Sequence, residues 1–329
     1  MNEGSSHLLL VEDLKLSFAA GDKISTVLHG ISYAVKRGET ICLVGESGCG
    51  KTVSALAIMG LVPQPPGKVL GGKIYLEGEN LLDLTEGEMQ KIRGKRIGMV
   101  FQEPMTSLNP VLTIGDQIAE AVTLHEKLNP GRALDRSEDL VREVGIPSAD
   151  KIIGQYPHQL SGGQRQRVMI AMALAGNPEL VIADEPTTAL DVTIQAQILK
   201  LFNLLQDKRT MSLIYITHDL GVVSSIADRI YIMYSGRILE HGSRNDILYD
   251  PRHPYTRGLL ASLPERSKRG KPIHSIPGAV PDPYRHLSGC PFHPRCTQVV
   301  PDCRNMFPAF CDYGNGHASR CPVIFAREK

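Results

Sequence analysis

The eight residues GESGCGKT, Gly45 to Thr52, decide how the chain is read. They fit the spacing G-x-x-x-x-G-K-[ST]. Before them runs TICLV, an apolar stretch that reads as a buried strand; after them KTVSALAIMGLV reads as a helix. Glycine at Gly45, Gly48 and Gly50 lets backbone N–H groups turn inward around phosphate oxygens with no Cβ in the way, and Glu46, Ser47 and Cys49 fill the remaining loop positions. Lys51 is placed to meet β- and γ-phosphates, and Thr52 offers a hydroxyl to Mg²⁺. The helix that starts there turns its positive end to the same anion.

Outward from that loop, other apolar runs end in polar residues. In LVIADEP the apolar run leads into Asp184, where a carboxylate can hold Mg²⁺, followed by Glu185, which can polarise an attacking water. LIYITHDL ends near His218. Short apolar runs alternating with helical patterns from about Leu8 to His241 predict an α/β fold with a mostly parallel sheet, and ligands bind at the ends of such strands. From Thr113 to about Gly154 the texture is purely helical: TIGDQIAEAVTLHEKL and RALDRSEDLVREVGI are amphipathic with no strand between them. In HQLSGGQRQRVMIAMAL, Ser161 is an N-cap and the Ser-Gly-Gly run at a helix start is a second anion site. A single nucleotide in a single loop does not need it. Two chains facing head to tail do.

LSGGQ, Leu160 to Gln164, resembles the signature of the ABC ATPase family, and further elements appear in that family's order. Gln102 in VFQEP is similar to the Q-loop glutamine, TALD (Thr188 to Asp191) to the D-loop that carries Asp191 to the dimer partner, and His218 to the switch histidine. Phe18 in LKLSF is similar to the aromatic that stacks on adenine. The resemblance spans about residues 8–245. It implies catalysis by Glu185, His218 and Gln102, with Mg²⁺ held by Thr52, Gln102 and Asp184. It also implies ATP bound across Phe18, Gly45 to Thr52, Asp184, Asp191 and the partner's signature, where Ser161, Gly162, Gly163 and Gln164 meet the γ-phosphate. Phosphoryl transfer of this kind needs positioning and charge neutralisation above all.

Composition narrows the class. With 329 residues, 42% apolar and 22% charged, the chain reads as an ordinary globular protein. A formal net charge of +1 and the lack of a basic stripe argue against a nucleic-acid ATPase, the more distant alternative. MNEGSSHLLLVEDLKL does not read as a signal peptide, and no apolar run is long enough to cross a bilayer. The motifs occur once each, with no long insertion between Gly45 and Asp184, so the expected class is a transporter ATPase whose membrane helices lie on other chains. QEPMTSLNP and DPRHPYTRGLLASLP (Asp250 to Pro264) resemble the peptide and nickel importer ATPases. That resemblance implies peptide uptake, with nickel uptake as the alternative. It further implies two permease subunits, a related second ATPase, an extracytoplasmic solute-binding protein and a place at the cytoplasmic face of the inner membrane. Pro254 sits at the first position of a short helix.

The expected organisation is an ATPase domain over residues 1–263, with a helical subdomain over about 113–178, and a loop-rich module over 264–329. ERSKRGK, Glu265 to Lys271, reads as a solvated linker. Cys42 and Cys49 read as small packing residues, while Cys290, Cys296, Cys303, Cys311 and Cys321 fall in the tail with spacings x5, x6, x7 and x9. An intracellular setting disfavours disulfides, and no C-x-x-C pair suggests a zinc ribbon, which leaves metal, cluster or scattered thiols open. The peptide importer resemblance implies a [4Fe-4S] cluster on Cys290, Cys296, Cys303 and Cys321. Zinc is the alternative metal, Cys311 the rival for the fourth position, and His293 a further ligand candidate.

Overall fold

A computed structural model describes residues 7–21, 23–188, 190–263, 275–282 and 287–327. Its chain forms two compact units. One comprises residues 1–35, 40–82 and 217–329; the other comprises 36–39 and 83–216. The linker and the boundary expected near Pro264 lie outside the described residues.

In the first unit, strand Leu9–Ala20 lies between Lys23–Val35 and Gly67–Leu76, antiparallel to both, with the short strand Glu79–Asn80 at the edge. This antiparallel sheet departs from the mostly parallel expectation. Only two residues separate Ala20 from Lys23, too few for a crossover, so these two consecutive strands must return alongside one another. Thr40–Val44, buried throughout, runs parallel to Arg229–Tyr234, which pairs antiparallel with Arg237–Ser243. The tail continues from there: His317–Ser319 pairs with Arg237–Ser243 and with Cys311–Gly314. It therefore borrows its order from an existing sheet, as a segment with little apolar content of its own must.

In the second unit, Ile97–Val100, Leu180–Asp184 and Ser212–Ile216 form parallel pairs, and Leu180–Asp184 is buried at every residue. The helical segment appears as expected. Helix Ile114–Glu126 is capped by Thr113, whose hydroxyl accepts from Asp116 N, and Pro130–Glu143 is capped by Asn129. Ile114, Ile118, Val122, Ala133, Leu140 and Val141 are fully buried, the one-sided periodicity of a packed helix pair. Glu143, at the end of the second helix, takes a two-toothed bond from Arg209 at the end of helix Val192–Arg209, at 3.0 and 2.5 Å. Those bonds, with the nearby Lys208, hold its carboxyl down at about 2. No helix of the described residues is long and apolar enough to cross a membrane.

Candidate functional site

In the first unit, strand Thr40–Val44 ends at Gly45 and helix Lys51–Ile58 begins after Gly50. Gly48 and Gly50 take φ of 78° and 101°, a region that a side chain resists. Gly45 is glycine for a different reason: a Cβ there would stand 2.1 Å from the Met233 carbonyl oxygen on the neighbouring strand. Lys51 is 4% exposed, and its Nζ donates to the carbonyls of Gly45 and Glu46 at 2.7 and 3.2 Å. Ser47, Gly48 and Thr52 are exposed. Cys42 and Cys49 are buried and unbridged, in keeping with packing roles. Phe18 is half-buried near the end of its strand, its ring edge close to Gly67. His218 is exposed directly after Thr217.

The loop is held from the C-terminal segment of the same unit. The Glu46 N–H donates to Tyr255 Oη at 3.1 Å, and the Glu46 carboxylate pairs with Arg295 at 2.7 Å. Tyr255 follows His253 and Pro254, at the start of helix Pro254–Ala261. His253 is the N-cap: its Nδ1 accepts from Tyr255 N at 3.1 Å, which leaves the proton on Nε2, 3.9 Å from Cys290 Sγ. Burial pushes His253 down to about 4, so it stays neutral. Glu240, fully buried, accepts from the backbone N–H groups of Arg252 and His253 and from His317 Nε2, joining this helix entry to the tail. Only Pro254 of this set was legible in the sequence as a helix start. The signals for the rest were the HPYT run and an Arg inside the cysteine spacing.

The second unit carries the other expected residues. Ser161 caps helix Gly162–Ala173: its Oγ accepts from Gln164 N, and Gln164 Oε1 accepts from Ser161 N, a reciprocal box that fixes the helix entry. Asp184 is buried at a strand end. Glu185 has φ 45°, unusual for a non-glycine residue, and its Oε2 accepts from Thr188 Oγ1 at 2.9 Å. Asp191 caps helix Val192–Arg209 through Ile194 N; its neighbour Val192 is 81% exposed. Gln102 is exposed just past strand Ile97–Val100.

Four tail cysteines converge. Cys290, Cys296, Cys303 and Cys321 line one cavity with Phe292, Pro308 and Val323, and none is in a disulfide. Cys311 does not line it; it sits in its own short strand. His293 also borders the cavity, but its Nδ1 is 2.8 Å from the Cys290 carbonyl. Burial pushes Cys290 up to about 12 and Cys321 to about 11. Among the described residues no three His, Cys, Asp or Glu side chains are gathered tightly enough for a single metal ion. The cavity itself, about 20 Å³, has room for a water. A cluster would need the thiols drawn outward.

Comparison with known proteins gives two family matches: ABC transporter over residues 28–188, and oligopeptide/dipeptide transporter, C-terminal region, over 239–303. Among curated relatives, the chain is 53% identical to the oligopeptide transport ATP-binding protein OppD of Bacillus subtilis, over 84% of this chain and 78% of that one. It is 46% identical to the dipeptide transport ATP-binding protein DppD of the same organism, over 95% and 94%. A probable peptide ABC transporter ATP-binding protein of Sinorhizobium fredii is 47% identical over 97% and 96%. Among solved structures, the dimeric ATP-binding cassette MJ0796 with ADP and phosphate bound superposes with a TM-score of 0.65 and 28% identity, over 72% of this chain and 98% of that one.

Proposed function

The chain belongs to the ATP-binding subunits of peptide ABC transporters, and from that premise we propose that it hydrolyses ATP at the interface of two cassettes to drive peptide import through separate membrane subunits. The observation that carries this is the pair of anion sites, each in its own unit: the loop Gly45–Thr52 and the capped Ser161–Gln164 helix start. Two such chains placed head to tail use both kinds of site on each nucleotide. The relatives are named for peptide, oligopeptide and dipeptide transport, which favours peptides over nickel as cargo.

The division of labour follows from the chemistry. Lys51, Ser161 of a partner cassette and His218 neutralise the transferring phosphate, and Glu185 acts on the water. Thr52, Gln102 and Asp184 are the residues that would hold Mg²⁺, which supplies charge neutralisation on the phosphate oxygens when bound. Phe18 is the adenine platform. Asp191 and the exposed Val192 form the edge that meets the second cassette, which is a related but different chain.

For the membrane subunits we assign the second unit's exposed apolar side chains near Gln102. Phe101, Val111 and Leu112, close to Gln102 in sequence, are exposed, Val111 by 75%, and so is Tyr156. We infer from this reading a position at the cytoplasmic face of the inner membrane, held there by the permeases, with a solute-binding protein delivering peptide on the other side. ATP turnover stimulated by the two permease subunits and not by DNA is the expected result. Stimulation by DNA instead would favour the nucleic-acid reading.

Residues 1–263 then work as the ATPase, with its helical part over 113–178, and 264–329 as a cysteine module. A [4Fe-4S] cluster on Cys290, Cys296, Cys303 and Cys321 is supported by their convergence on one cavity from which Cys311 is absent. When bound, such a cluster would cross-link a segment with little core. His253 Nε2 offers a hydrogen bond to the sulfur of Cys290.

A further inference from the structure

Glu46 is an odd residue to find in a loop that cradles phosphates. Its carboxylate adds a negative charge beside a ligand that brings several of its own. In this structure the carboxylate is engaged elsewhere. Arg295 Nη1 lies 2.7 Å from Glu46 Oε2, across 249 residues of sequence. The guanidinium is itself fixed: Nε donates to the Pro277 carbonyl at 3.0 Å, Nη2 to the Ile276 carbonyl at 3.4 Å, and Nη1 also to Tyr234 Oη at 3.3 Å. Arg295 is 8% exposed, so this pair is screened far less than a surface ion pair.

Arg295 also closes the turn His293–Arg295, between Cys290 and Cys296 of the cysteine cavity. A second line of contact runs the same way. Phe292, two residues after Cys290, packs 5.3 Å from Tyr255. The Tyr255 hydroxyl accepts from the Glu46 N–H. Backbone and side chain of one loop residue are thus both held by the cysteine module and the helix beside it, all within the first unit.

We propose that Arg295 is a positioning residue for the phosphate loop: it neutralises Glu46 and holds its carboxylate aside from the incoming phosphates, and through its place between Cys290 and Cys296 it makes nucleotide affinity depend on the order of the cysteine module. This rests on the reading of Gly45–Thr52 as an ATP site. Arg295 touches no reacting atom, so its loss acts on ATP binding and leaves the chemical step alone.

The test is steady-state ATP turnover by the full chain assembled with its permeases and second ATPase. Arg295→Ala is expected to raise the KM for ATP roughly tenfold with kcat within about twofold, the size of coupling that contacting charged groups show. Arg295→Lys keeps the charge without the fork that anchors it and is expected to fall between the two. Adding Glu46→Gln to Arg295→Ala is expected to recover most of the loss, because the charge that Arg295 restrains is gone. Cys296→Ser is expected to raise the same KM, and to add nothing further in the Arg295→Ala background. An unchanged KM in both Arg295 variants would overturn the proposal. So would a double variant with Glu46→Gln as impaired as Arg295→Ala alone, since that marks a general folding role, and so would additive effects of Cys296→Ser and Arg295→Ala. If Arg295→Ala does not fold, Arg295→Lys with and without Glu46→Gln reads the same coupling. A wild-type assembly with no ATP turnover would instead fault the ATP reading on which the proposal stands.

Discussion

Gly45→Ala separates the two reasons for glycine in the phosphate loop. An alanine Cβ at this position would lie 2.1 Å from the Met233 carbonyl oxygen and 2.8 Å from Cys49 Sγ. Ordinary contact begins near 3.4 Å, so the oxygen and the loop must part by more than about 1 Å. Met233 cannot yield cheaply: it is fully buried in strand Arg229–Tyr234, which is bonded on one side to Thr40–Val44 and on the other to Arg237–Ser243. The loop moves instead, or the strand pairing beside it opens. The cost is about 3 kcal/mol, at the upper end of overpacking penalties, or a fall in Tm of roughly 4–5 °C for a chain of this length. Gly48→Ala is the matched control. A Cβ there has nothing within 4 Å, so its cost is limited to φ 78°, about 1 kcal/mol or roughly 1–2 °C. Thermal unfolding followed by circular dichroism, with fluorescent-nucleotide titration of each variant, measures both effects. Equal melting points for the two variants would refute the argument that Gly45 is required by the close approach of Met233.

Three further outcomes are expected. Glu185→Gln keeps an oxygen for the Thr188 hydroxyl, so it leaves Tm within about a degree while lowering ATP turnover roughly a hundredfold or more with nucleotide binding intact; turnover near wild type would remove Glu185 from the chemistry. Glu143→Gln weakens the clasp to Arg209. The folded carboxyl titrates near 2 against an ordinary 4.5, so its stabilisation is complete above pH 4.5 and lost as pH falls through 2; discounted for solvent screening it is about 1–2 kcal/mol, and a Tm difference from wild type that grows below pH 4 would contradict it. Anaerobically purified protein is expected to be brown, absorbing broadly near about 400 nm with roughly four irons per chain; Cys321→Ser is expected to lose the colour and Cys311→Ser to keep it, and a colourless zinc-loaded protein would contradict the cluster.

Much of the site was legible because its signals are local. The strand–loop–helix around Gly45–Thr52, the Ser161 cap and the buried strand ending on Asp184 each follow from a dozen neighbouring residues, and each was found where the sequence placed it. The amphipathic pair after Thr113 was equally plain from its period. What the sequence hid is long-range. Periodicity does not tell an antiparallel neighbour from a parallel one, so the sheet of Leu9–Ala20 was missed. Nothing local marks Glu46 as the partner of Arg295, or Glu240 as the acceptor that ties His253 to His317, which lies 77 residues beyond Glu240. Tyr255 read only as part of a short helix, because its role is set by what its hydroxyl reaches.

Peptide uptake tests the central claim most directly. The full chain, assembled with its two permeases and second ATPase in vesicles with ATP on the cassette side, is expected to accumulate labelled peptide supplied with the binding protein. Uptake should stop when this chain carries Glu185→Gln. ATP-driven peptide uptake that continues undiminished with that variant, or ATP turnover by the wild-type assembly with no peptide moved, would contradict the account.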